Sequence, residues 1–77
     1  MNENEPPPGP TPQEEDEMRR RLASLKVEHR DVDAAVEALA AQPRPDMLQV
    51  ARLKKKKLHL RDEIARIEDV ILPDIIA

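Results

Sequence analysis

Apolar residues recur along the chain at alternating steps of three and four positions, between Met18 and Leu39 and again between Val50 and Ile71. This heptad pattern is typical of helices that bury one stripe against another helix. The stripe of the first helix is predicted to be Met18, Leu22, Leu25, His29, Val32, Val36 and Leu39. The stripe of the second is predicted to be Val50, Leu53, Lys57, Leu60, Ile64, Ile67 and Ile71.

Capping residues and prolines indicate where these helices begin and end. Thr11 and Glu14 form a capping-box signature around Pro12, which suits a first helical position. Pro43 and Pro45 interrupt any continuous helix. We therefore predict a helix over residues 12–41, a linker over 42–46, a helix over 47–72 and a tail over 73–77, after a disordered, acidic and proline-rich segment over 1–10.

A linker this short forces the two helices to lie antiparallel. In the register that the pattern indicates, Leu39 lies opposite Val50 and Met18 opposite Ile71, and the residues between them face each other without a gap. The predicted fold class is therefore all-α, a two-helix antiparallel coiled-coil hairpin.

Charged residues flank the predicted stripe and mostly agree with this register. The register places Asp33 between Lys54 and Arg61, and it places Glu28 between Lys56 and Glu63. It also brings Lys26 near Glu68 and Arg21 near Glu63.

The composition excludes several classes of site. The chain has no Phe, Trp, Tyr or Cys, so disulfides, cysteine-based metal sites and thiol nucleophiles are absent. No apolar run is long enough to span a bilayer, and the acidic start has the wrong charge for a secretory signal. We expect a cytoplasmic protein that does not bind membranes.

Positive charge is concentrated in the second half of the chain. Residues 44–61 hold seven bases and one acid. The candidate contacts to an anion or a partner are Arg52, Lys54, Lys55, Lys56 and Arg61. Consecutive lysines point in different directions around a helix, and there are no aromatic rings to stack on bases. This favours a solvated surface, with non-specific binding to nucleic acid as the alternative.

Two histidine–carboxylate pairs have helical i,i+4 spacing. They are His29 with Asp33 and His59 with Glu63. The pairs open on opposite flanks of the stripe, so they do not converge on one metal ion. A histidine that sets the helix register is the favoured interpretation.

Catalysis lacks suitable side chains. Thr11 and Ser24 carry the only hydroxyl groups of the chain, and a thin helical hairpin has no pocket that excludes water. We therefore predict a protein that is not an enzyme and has no cofactor, metal or small-molecule substrate.

Small and apolar residues also occur away from the stripe. The candidate oligomer face is Val27, Ala34, Ala38, Ala51, Leu58, Ala65 and Leu72. A lone two-helix hairpin is marginally stable, so we expect a dimer of hairpins that forms a four-helix bundle. The C-terminal segment over residues 70–77 is apolar and either folds back near Met18 or docks on a partner.

Two segments of the chain resemble a known family. His29–Leu39 and the lysine-rich Arg52–Ile64 are similar to the YdcH-like family of small bacterial proteins, and the ending Leu72–Ala77 is similar to its alphaproteobacterial members. The resemblance covers about residues 22–77, with Arg61 where the family often has lysine. It implies a short helical hairpin in the cytoplasm and brings no catalytic or cofactor residue.

The function that these features favour is association. We expect a structural or protein-interaction module that binds itself and an unidentified protein. The alternative is a non-specific, nucleoid-associated type of nucleic-acid binder that uses the basic residues of the second helix.

Overall fold

The fold is a hairpin of two α-helices. The computed structural model describes residues 9–72, in which α1 spans Pro12–Ala40 and α2 spans Met47–Ile71. No strand occurs within this range, and the predicted helical-hairpin fold class is confirmed. Each helix ends one residue before its predicted end. The predicted tail lies outside the described residues, as do residues 1–8 of the predicted disordered segment.

A reciprocal cap starts α1. The Thr11 hydroxyl oxygen accepts the backbone N–H of Glu14 at 3.2 Å, and the Glu14 carboxylate accepts the backbone N–H of Thr11 at 2.9 Å. The predicted capping box is thereby confirmed. The hydrogen bond from the Thr11 backbone lowers the pKa of the Glu14 carboxyl, and a side-chain hydrogen bond with Thr11 lowers it further.

The linker contains the end of one helix and the cap of the next. Ala41 follows α1 and donates its backbone N–H to the carbonyl of Glu37 at 3.1 Å. Asp46 then caps α2, since its Oδ1 accepts the backbone N–H groups of Leu48 and Gln49 at 3.1 and 3.2 Å. The Ala41 bond satisfies a carbonyl in the last turn of α1, and the two bonds to Asp46 satisfy N–H groups that have no partner inside α2.

The core is a single line of side chains between the helices. Its most deeply buried members are Leu25 and Val50, which are 1% and 2% exposed. All the buried hydrophobic residues of the described range occupy positions of the heptad stripe; they are Leu22, Leu25, Val32, Val36, Val50, Leu60 and Ile71. The other stripe positions are half-buried; they are Met18, His29, Leu39, Leu53, Lys57, Ile64 and Ile67. We call this contact between α1 and α2 the seam.

Candidate interaction surfaces

Ion pairs close one flank of the seam. Arg21 Nη2 lies 3.1 Å from Glu63 Oε2, and Lys56 Nζ lies 3.4 Å from Glu28 Oε2. The first pair is a confirmed prediction. In the second pair, Glu28 contacts Lys56, one of the two residues between which the register placed it. We call this side of the hairpin the first flank.

The opposite side, the second flank, contains two further pairs. Lys26 Nζ lies 3.3 Å from Glu68 Oε2, as predicted. The partner of Asp33 is different from the prediction, because its Oδ1 binds Lys57 Nζ at 2.6 Å and neither Lys54 nor Arg61 pairs with it. A seam lysine can bury its stem and still carry its ammonium group to the edge of the seam. Asp33 stands at that edge.

The Lys57–Asp33 pair changes the ionisation of the aspartate. The hydrogen bond from Lys57 lowers the pKa of the Asp33 carboxyl, and the positive charge of Lys57 lowers it further, with a smaller contribution from His29. The pair is partly exposed, with side-chain exposures of 38% for Lys57 and 42% for Asp33. His29 is half-buried in the seam beside this pair. The carboxylate of the predicted His29–Asp33 pair therefore forms its ion pair with Lys57.

Only some of the bases in residues 44–61 form ion pairs within residues 9–72. Lys56 and Lys57 contact acids of α1, whereas Arg52, Lys54, Lys55 and Arg61 form no ion pair within residues 9–72 and are exposed. Lys54 and Arg61 are seven positions apart and lie along the second flank, while Arg52 and Lys55 point elsewhere. These four bases do not make one flat positive face.

Lys54, Lys57 and Arg61 border a shallow open groove around Leu58. The groove has a volume of about 280 Å³, and Leu58 is the apolar residue in its lining. Leu58 is 56% exposed. The groove therefore offers an apolar contact surrounded by positive charge.

A second open groove lies along α2 on the side of the first flank. It is lined by His59, Asp62, Glu63 and Arg66 and has a volume of about 420 Å³. Glu63 is already bound to Arg21. Within residues 9–72 there is no group of three or more histidine and carboxylate side chains placed to hold a metal ion.

All residues of the predicted oligomer face are exposed; they are Val27, Ala34, Ala38, Ala51, Leu58, Ala65 and Leu72. They do not share one surface. At about 100° per residue, Val27 and Ala34 lie about 170° from the centre of the seam, on the back of α1. Leu58 and Leu72 lie about 130° from the seam, on the side of the second flank. Ala38 lies about 130° from the seam on the side of the first flank, on α1. The face predicted as one unit is therefore three separate surfaces.

Other large apolar residues are exposed as well. Met47 and Leu48 are each 63% exposed, and Val70 is 46% exposed. Val70 belongs to the apolar C-terminal segment that was predicted to fold back or to dock on a partner. Leu48 was not predicted to take part in a surface, because residue spacing gave no signal for it, and its exposure identifies it.

Residues 9–72 contain two side-chain hydroxyl groups. The hydroxyl of Thr11 is used in the α1 cap, and Ser24 is exposed on α1. Neither α1 nor α2 has a segment apolar and long enough to cross a bilayer.

Comparison with known proteins gives one result. A family model described as "Protein of unknown function (DUF465)" matches residues 22–68. The matched segment contains most of α1, the linker and most of α2. No curated protein and no solved structure shows significant similarity to the chain.

Proposed function

The chain belongs to the DUF465 family of proteins of unknown function, and from that premise we propose that it is a non-catalytic association module. In this proposal the hairpin binds a second copy of itself and presents the combined surface to another protein. The cytoplasmic setting implied by the family resemblance is part of the same proposal.

The observation that carries the proposal is the apolar surface left outside the seam. Leu58 and Leu72 are 56% and 52% exposed and are separated by two heptads. Scattered apolar residues are normal on a protein surface. Apolar residues that repeat at the same heptad position are instead typical of a helix that packs on another helix.

The small core of the hairpin supports the same conclusion. The seam is one line of side chains, and its open end includes the half-buried Met18. Two-helix hairpins of this size bury little apolar surface, so a contact with another copy adds a large share of their stability.

The chemistry of the side chains supports a role without catalysis. Thr11 uses its hydroxyl for the helix cap, and the two grooves are shallow and open. A site that excludes water requires a more enclosed cavity.

A second candidate function, non-specific binding of nucleic acid, is favoured by the exposed bases. Arg52, Lys54, Lys55 and Arg61 have no acidic partner within residues 9–72. Their spread around α2 weakens this candidate, because a duplex contacts one face of a helix at a time.

The test is sedimentation equilibrium of the purified chain, with and without duplex DNA, at about 50 and 200 mM salt. The proposal predicts a dimer whose mass is unchanged by DNA and by salt. A monomer that binds DNA only at the lower salt concentration would instead support the nucleic-acid function.

A further inference from the structure

We propose that two copies of the chain meet through the outer stripe of α2, which we define as Ala51, Leu58, Ala65 and Leu72. In this dimer the two α2 helices lie antiparallel, about a twofold axis that passes between positions 61 and 62. The inference rests on the proposed self-association and adds the surface and the direction of the contact.

The exposed apolar residues favour α2 over α1. Within residues 9–72 the exposed large hydrophobic residues are Val27, Met47, Leu48, Leu58, Val70 and Leu72. Val27 is the one that belongs to α1, while the others belong to α2 or follow it directly. A contact through α2 therefore covers more apolar surface.

The order of residues in the stripe fits an antiparallel contact. Small and large side chains alternate as Ala51, Leu58, Ala65 and Leu72. In the antiparallel arrangement each leucine of one copy faces an alanine of the other, so that the surfaces interlock. A parallel arrangement would place leucine against leucine and alanine against alanine, and it would leave gaps between the alanines.

Space is available for a second copy at this stripe. Leu58 lies about 130° from the centre of the seam around α2, so a helix packed on it does not collide with α1. The groove around Leu58, bordered by Lys54 and Arg61, opens in the same direction. The resulting assembly has four helices, with the two α2 helices in the centre.

Charge complementarity also favours the antiparallel direction. Lys54 and Glu68 lie on one side of the stripe, and Lys55 and Asp69 lie on the other. In a twofold antiparallel contact, each side of the stripe faces the same side of the stripe on the second copy. Lys54 therefore faces Glu68 of the second copy, and Lys55 faces Asp69 of the second copy. A parallel contact would place each of these residues beside a charge of the same sign. The antiparallel direction is favoured although the charged residues at positions 61 and 62, beside the axis, each face the identical residue of the second copy.

The pair best suited to an experiment is Lys55 with Asp69. Both side chains are exposed, and neither forms an ion pair within residues 9–72. Glu68, in contrast, already contacts Lys26 of its own chain. Lys55 and Asp69 are therefore the residues to exchange in a test of direction.

The surface is tested by sedimentation equilibrium of the wild type, Leu58→Glu and Val27→Glu. Val27 and Leu58 are both 56% exposed, so the substitutions are matched for their effect on the hairpin, and circular dichroism checks that helicity is retained. We expect Leu58→Glu to raise the dimer Kd at least about a hundredfold. Val27→Glu should change it by less than about twofold.

The outcomes separate this inference from the proposed function. If Val27→Glu dissociates the dimer and Leu58→Glu does not, self-association stands and the α2 surface is wrong. If the wild type is a monomer at every concentration, both the surface and the proposed self-association are wrong.

The direction is tested by charge exchange in the same assay. Lys55→Glu and Asp69→Lys should each raise the dimer Kd roughly two- to tenfold, because each places like charges together twice per dimer. The double variant should return the Kd to within about twofold of the wild type. Single variants without effect, or a double variant with the sum of both losses, would overturn the antiparallel arrangement.

Discussion

The helix α2 carries two apolar stripes that repeat every seven residues and differ in what covers them. In the seam stripe, Val50 and Leu60 are 2% and 5% exposed, because the linker brings α1 against them. In the outer stripe, Leu58 and Leu72 are 56% and 52% exposed. Heptad spacing therefore identifies the helix faces that pack, while burial identifies which of them the chain covers by itself.

The largest expected difference between the stripes comes from two leucines on the same helix. Leu60→Ala should lower the free energy of unfolding by about 2–5 kcal/mol, because it leaves a cavity in the seam. Leu58→Ala should change the stability of the separate hairpin by less than about 0.5 kcal/mol, because that side chain is largely in water. Urea unfolding at low protein concentration measures both values.

The same pair of variants should also differ in their dependence on concentration. The urea midpoint of the wild type should rise with protein concentration, and Leu58→Ala should weaken that rise. Equal losses for Leu58→Ala and Leu60→Ala at low concentration would contradict the distinction between the two stripes.

A change at the start of α2 should affect both stripes together. Asp46→Ala removes the acceptor for the backbone N–H groups of Leu48 and Gln49. We expect a loss of about 1 kcal/mol in the free energy of unfolding and a weaker dimer, since the whole helix is less stable. Asp31→Ala, in the middle of α1 and outside the proposed dimer contact, is the control for removal of a negative charge. A loss no greater than that of the control would count against the cap.

Lys57 allows a further comparison between the seam and the outside of α2, because it is the polar member of the α2 seam stripe. Lys57→Met should raise the free energy of unfolding by about 1 kcal/mol, since an apolar side chain replaces a partly exposed ion pair with Asp33. The measurement is the urea midpoint, with Arg52→Met as the matched change at an exposed base of the same helix that lies outside the proposed dimer contact. A lower midpoint for Lys57→Met would show that the ion pair stabilises the seam more than apolar packing does.

The smallest expected effect is a dependence of stability on pH. The Asp33 carboxyl has its pKa lowered below 3.8 by Lys57, so its contribution is present above the unfolded pKa and is lost as pH falls through the lowered value. Thermal unfolding followed from about pH 5 to pH 2 should give a steeper loss of Tm for the wild type than for Asp33→Asn. Asp31→Asn is the control and should keep the pH dependence of Tm seen in the wild type. If Asp31→Asn makes this dependence as shallow as Asp33→Asn does, the assignment to Asp33 is wrong.

The sequence was sufficient to predict the helical hairpin because local signals and heptad spacing agree. Thr11 with Glu14 marks the start of α1, and the prolines of the linker separate two regular stripes. All positions of the seam stripe are buried or half-buried in the structure. The partner of Asp33 was predicted incorrectly, because the sequence does not show how far the flexible stem of Lys57 reaches out of the seam.

The outer surface was predicted less well than the seam. Val27 and Leu58 were grouped in one face because both are apolar and lie outside the seam, although they point in different directions on their helices. Leu48 was missed because exposure depends on how the helices pack. No residue pattern identifies the partner protein, since recognition depends on the partner's surface as well.

The most direct test of the outer-stripe dimer is a distance between spin labels in the two copies. The chain contains no cysteine, so Leu48→Cys provides a single labelling site near the start of α2. With the twofold axis between positions 61 and 62, the labels should be about 40 Å apart at 1.5 Å per residue along the helices. A separation below about 20 Å would indicate a parallel contact, and no interaction between the labels at high protein concentration would contradict self-association through α2.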